Sequence, residues 1–115
     1  MKLRINGNSI RLRLTPEEVE EICDGEKVST HTKLLNGLFS YELKTEAVWH
    51  AEVIGSHISV SIPQSEVSDW AENETVGFEH RFENGLLVMV EKDFQCLHPR
   101  KHEQENHLYP NPDKQ

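Results

Sequence analysis

Several things are scarce in this chain, and each scarcity closes a door. Two cysteines in 115 residues, Cys23 and Cys96, stand in unlike surroundings and make no disulfide framework. Aromatic residues are only 7 %. No apolar run approaches the 18 or so residues that cross a bilayer, which leaves out a membrane helix. The opening Met1-Lys-Leu-Arg-Ile has no apolar signal region. Enzyme signatures are missing too: there is no GxSxG, no phosphate loop, no HExxH and no pair of acids in an apolar setting. Positive charge is short, with 12 Lys and Arg against 20 Asp and Glu, so the formal net charge is -8. A chain of that sign resists polyanions, and nucleic acid is an unfavoured partner. The expectation is a cytoplasmic, non-enzymatic protein without a membrane attachment.

What is present is a repeat. Shifting the sequence by 48 residues lays Ile10–Lys44 on Ile58–Lys92 without a gap, with nine identical pairs, among them Ile10/Ile58, Val19/Val67, Asn36/Asn84, Gly37/Gly85 and Lys44/Lys92. Ordinary residue frequencies give roughly two over that length. Each copy reads as strand, short helix, strand, Asn-Gly turn, strand. Residues 1–93 therefore form one domain of two repeats, 1–45 and 49–93, and 94–115 form a polar, proline-punctuated tail.

Lys2–Asn6 and Ser9–Leu14 alternate strictly. Leu3, Ile5, Ile10, Leu12 and Leu14 make one set, and Lys2, Arg4, Arg11 and Arg13 the other. Period two means half-buried strands, and Asn6-Gly-Asn between them suits a tight hairpin. Thr15-Pro-Glu-Glu opens a helix with a capping box closed by Glu18, and Asp24-Gly25 ends it. Val28–Leu35, Asn36-Gly37 and Leu38–Thr45 form a hairpin. In the second copy the strands are Ala47–Ile54 and His57–Ile62, followed by a helix at Pro63–Glu72. Val76–Phe82 and Leu86–Val90 then form a hairpin about Asn84-Gly85. The almost wholly apolar Leu86–Val90 should be central and covered on both faces. The core expected from these patterns runs through Leu3, Ile5, Leu12, Leu14, Val19 and Ile22 in the first copy. In the second it includes Val60, Ile62, Val67, Trp70, Phe82 and Val90.

The order hairpin, short helix, hairpin, with Ile62-Pro-Gln-Ser-Glu-Val and then Asn73-Glu-Thr-Val, resembles the swapped-hairpin barrel of AbrB- and MazE-type regulators and the tandem copies of the MraZ proteins. The resemblance implies a mainly β fold with two short helices, in which tandem ββαββ repeats close one pseudo-two-fold barrel or sandwich. It also implies DNA contacts from the first hairpin, onto which Lys2, Arg4, Arg11 and Arg13 map. Their counterparts in the second copy are His50, Glu52, Ser59 and Ser61. The whole chain, with Glu91-Lys-Asp-Phe-Gln-Cys-Leu and the closing Tyr-Pro-Asn-Pro, also resembles a set of short uncharacterised bacterial proteins.

Two constellations carry candidate chemistry. The basic hairpin can meet phosphate, or it can be a solvated strand face whose charges discourage edge pairing. Cys96, His98, His102 and His107 are ligand types suited to zinc, with nickel or copper as alternatives, or they belong to a solvated tail. Cys96 beside Arg100 and Lys101 can be a reactive thiol or an incidental one. Trp49 and Trp70 can stack a ligand, but Trp70 aligns with Ile22, as a packing residue would. The functional expectation is a binding or regulatory module for a protein partner or self-association. A DNA-binding regulator and a metal-binding protein are the alternatives.

Overall fold

In a computed structural model, residues 1–94 are described. They form eight strands, two short helices and one 3-10 turn. The strands are β1 (Lys2–Asn6), β2 (Ser9–Leu14), β3 (Val28–Leu34), β4 (Gly37–Glu46), β5 (His50–Ile54), β6 (His57–Pro63), β7 (Gly77–Arg81) and β8 (Leu87–Lys92). Helix α1 is Pro16–Cys23, α2 is Gln64–Val67, and the 3-10 turn is Trp70–Glu72. The class is mainly β, as the alternation of the sequence requires.

The strands make two four-stranded sheets, ordered β1-β2-β8-β7 (sheet A) and β3-β4-β6-β5 (sheet B). Neighbours in sequence pair as antiparallel hairpins. The seam at the centre of each sheet is different. There β2 runs parallel to β8, and β4 runs parallel to β6. Each sheet is thus built from one hairpin of the first half of the chain and one of the second.

Alternation places Leu12, Leu14, Val88 and Val90 of sheet A in one buried cluster with Tyr41, Leu43, Val60 and Ile62 of sheet B. Val19 and Ile22 close it from α1, and Val67 and Trp70 from the second helical segment. Trp70 is fully buried. Its indole N–H donates to the Thr75 carbonyl at 2.8 Å and its ring meets Phe78 edge-on, with centroids 5.0 Å apart. The Thr15 hydroxyl accepts from the Glu18 N–H and the Glu18 carboxylate accepts from the Thr15 N–H, so the capping box forms as read. The two helical segments pack on one another at one side of the sheets.

Four expectations are corrected. The helix expected at Pro63–Glu72 is broken: Pro63 stays in β6, four residues are helical, and after Ser68-Asp69 the chain tightens into the 3-10 turn. No side chain caps α2, and the short segment is shaped by docking Val67 and Trp70 rather than by its own hydrogen bonds. Ile5, expected in the core, is 54 % exposed, because it lies on edge strand β1 beside the hairpin turn. β8 is central, but its outer residues Leu87 and Met89 are only half-covered.

The fourth correction concerns the turns. The first hairpins do repeat with the shift of 48: β1 matches β5, and Gly7 and Gly55 share a positive φ of 58° and 61° in two-residue connections. The second hairpins do not keep that step. β3 and β4 are joined by Leu35-Asn36, with Gly37 already paired to Leu34. β7 and β8 are joined through Glu83-Asn84-Gly85, where the Gly85 N–H bonds the Phe82 carbonyl and Gly85 has φ 96°. At the seams, Val60 pairs with Leu43 where Leu12 pairs with Val90. Leu43 therefore takes the place of Val90, one residue out of step with the ungapped alignment. The identities Asn36/Asn84 and Gly37/Gly85 mark corresponding turns of different construction.

That difference is testable. Gly85→Ala forces a Cβ into a left-handed backbone and should lower stability by about 1–2 kcal/mol. Gly37→Ala, in an ordinary strand conformation with open space around it, should change stability by less than about 0.5 kcal/mol in the same urea titration.

Candidate functional surfaces

The outer faces of the two sheets are the same frame carrying different side chains. On sheet A the register puts Lys2 opposite Arg13 and Arg4 opposite Arg11. The four basic residues thus form one block on a single ribbon, as the alternation predicts. Like charges directly opposite on neighbouring strands repel, so the block needs counter-charge. The adjacent strand supplies it: Glu91 Oε1 lies 3.5 Å from Arg11 Nε and 3.6 Å from Arg13 Nε, and Asp93 lies 3.0 Å from Lys2 Nζ. Arg11 also reaches the Met89 sulfur at 3.5 Å. Arg4 has no carboxylate partner among the described residues. With three of the four cations paired, the phosphate-facing surface is much weaker than the sequence alone suggests.

On sheet B the equivalent positions carry His50 opposite Ser61 and Glu52 opposite Ser59. The chemistry concentrates one strand inward, at the parallel seam. Ser40 of β4 pairs in register with His57 of β6, and Glu42 with Ser59. Glu42, only 8 % exposed, accepts a hydrogen bond from the Ser59 hydroxyl at 2.7 Å. Lys27 Nζ lies 3.4 Å from its other oxygen, His57 Nε2 3.5 Å, and Lys44 completes the cluster at 3.9 Å. The Ser59 hydrogen bond holds the Glu42 carboxyl below the ordinary carboxylate value of 4.5. Burial opposes this, and the charge and hydrogen bond of Lys27 support it. On its other side, His57 Nδ1 lies 2.6 Å from Ser40 Oγ. Composition gave no sign of this group. The one available signal is that Glu42 replaces an apolar residue in an otherwise buried stretch, Tyr41-Glu42-Leu43.

A third feature is apolar. The β3–β4 hairpin outreaches its neighbour, since the β5–β6 turn ends beside Leu38 and Ser40, where Ser56 bonds both backbones. Past that point Leu34, Leu35 and Leu38 stand exposed, and Val53 and Ile54 are exposed on edge strand β5, on the far side of β6. Trp49, a candidate ligand platform, instead stacks on His80 at 5.4 Å, which in turn meets Phe82 edge-on. Cys23 accepts from the Ala71 N–H at 3.2 Å, so it fastens α1 to the 3-10 turn. A hollow of about 240 Å³ between α1 and the end of β8, lined by Leu14, Val19, Ala71 and Phe94, is smaller than most cofactor sites.

Residues Cys96, His98, His102 and His107 lie outside the described residues. Among the described ones, no three His, Cys, Asp or Glu side chains converge as metal ligands. No described helix is long and apolar enough to cross a membrane.

A family model described as a family of unknown function, DUF7009, matches residues 1–113. The chain belongs to that family. A search of the curated proteins found no match. The matched span covers the two sheets and nearly all of the polar end of the chain.

The Glu42 cluster makes a stability prediction. A carboxyl with a lowered folded pKa stabilises the native state above its unfolded value, and that contribution is lost as pH falls through the folded one. Glu42→Ala should cost about 1–3 kcal/mol at pH 7. The gap between variant and parent in urea denaturation should narrow as pH drops below 4.5.

Proposed function

We propose that this protein is a non-enzymatic binding module, cytoplasmic, that engages a protein partner or a second copy of itself through the overhanging β3–β4 tip. The observation that carries the reading is the exposed apolar group Leu34, Leu35 and Leu38 at the tip of that hairpin. Scattered exposed apolar residues are ordinary, but a contiguous group on one projecting hairpin is the usual mark of an interaction surface.

We read the architecture as a duplicated swapped-hairpin unit of the AbrB type. Support comes from the sequence repeat and from the two parallel seams, each joining hairpins of different halves. A DNA-binding role, which that likeness would suggest, is the second reading, resting on the four-cation block. It is disfavoured because Glu91 and Asp93 take up three of the cations, and because the surrounding chain is strongly acidic.

The test compares the parent with Leu35→Glu/Leu38→Glu. Both positions are exposed, so the fold should be kept within about 0.5 kcal/mol. Sedimentation velocity at rising concentration, and co-purification from the native host, should show an associated species for the parent that the double variant loses. A parent that stays monomeric and captures nothing the variant does not capture overturns the reading. A duplex shift in low salt, removed by Arg4→Ala/Arg11→Ala, would favour the DNA role instead.

A further inference from the structure

The network at the seam of sheet B contains a hydroxyl that the binding role leaves unused. Ser40 Oγ is 2.6 Å from His57 Nδ1, and His57 Nε2 is 3.5 Å from Glu42 Oε1. Register alone brings them together: Ser40 sits opposite His57 across the parallel pair, and Glu42 lies two residues along the same face of β4. The tautomer follows from the charge. Glu42 is fixed as a buried anion by the Ser59 hydroxyl and Lys27, and an anion beside Nε2 keeps the ring proton on that nitrogen. Nδ1 then has a lone pair, and the short contact is Ser40 donating to it. A serine hydroxyl bonded to an imidazole whose far nitrogen is anchored on a carboxylate is the general device for making serine nucleophilic. Here the two ring nitrogens have exchanged roles.

We propose that Ser40 is a modification site that accepts a short aliphatic acyl group from an activated ester. In the step, Ser40 Oγ forms a bond to the acyl carbon while its proton passes to His57 Nδ1. The ester C–O bond breaks, and the proton is handed from His57 to the departing alkoxide or phenolate. The products are acyl-Ser40 and the free alcohol, with no change of oxidation state. The surroundings fit an aliphatic acyl chain. Leu38, two residues from Ser40 on the same face of β4, and Ile54, the register partner of His57, are both at least half exposed. The Ser40 N–H is committed to the Ser56 carbonyl at 3.0 Å, so it is not free to stabilise an oxyanion. The proposed event is a single acylation of Ser40, and it does not require the partner-binding role.

The probe is p-nitrophenyl butyrate, with the full chain, followed by intact mass and peptide mapping. One butyryl group per chain should appear on Ser40. It should be released by alkaline hydroxylamine, which cleaves an oxygen ester and spares amides on Lys27, Lys33 or Lys44. His57→Gln should slow the labelling by at least about tenfold, the low end for loss of a general base. Glu42→Gln, a positioning change, should slow the labelling, and the conservative Glu42→Asp should restore part of the rate. Labelling confined to lysines, or at Ser40 no faster than at exposed Ser29 on the same face, overturns the proposal. So does an unchanged rate in a folded His57→Gln protein. Because the wild-type map alone can refute it, the outcome does not depend on any variant folding.

Discussion

Everything in this molecule hangs on two parallel seams. Hairpins are local and cheap to close, but a lone hairpin is barely stable in water. The four hairpins become sheets only where β2 meets β8 and β4 meets β6. Those are also the most buried strands, with Leu12, Leu14, Val60, Ile62, Val88 and Val90 almost wholly covered. The short helical segments add Val19, Ile22, Val67 and Trp70 as a plug at one side. They are too short to persist alone and owe their shape to that docking.

The same seams decide the surface chemistry. A residue on the outer face of β2 or β6 looks across at β8 or β4, so each functional candidate is a product of two distant stretches of chain. On sheet A this partnership is neutralising: basic β2 meets Glu91 of β8, and Asp93 just past the strand pairs with Lys2. On sheet B it is assembling: His57 from β6 meets Ser40 and Glu42 from β4. The two faces thus differ: on sheet A the cations of β2 pair with Glu91, and on sheet B a buried carboxylate sits among a serine, a histidine and two lysines.

Much of the fold was legible in the residues because it is written in short-range pattern. Alternation marked β1, β2 and β6, and Thr15-Pro-Glu-Glu marked the capped helix. Less was legible where two distant segments settle the matter between them. The ungapped repeat hid the one-residue slip of β4, because identity at Asn36/Asn84 and Gly37/Gly85 reflects turn composition and not register. Ile5 obeys the core pattern yet lies exposed, since alternation tells a face but not whether anything covers it. The second helix broke because Ser68-Asp69 gives way to the demand that Trp70 reach the core. The basic block was read correctly as a block. Its neutralisation was not, because Glu91 and Asp93 are about eighty residues away and join it only through the seam. The Ser40–His57–Glu42 group follows the same rule: no spacing motif announces it.

The order in which the strands leave the ribosome gives the seams another meaning. β2 must wait for β8, which is nearly the last strand made, before its inner edge is paired. β4 and β6, close neighbours in the chain, can join much earlier. Sheet B is therefore positioned to form while sheet A is still half-made, its first hairpin held open with an unpaired edge. The charges on that waiting ribbon, mutually repelling until Glu91 and Asp93 arrive, would discourage it from pairing with the wrong neighbour in the interval. Three cations that look spent in the finished protein thus have a use before it is finished.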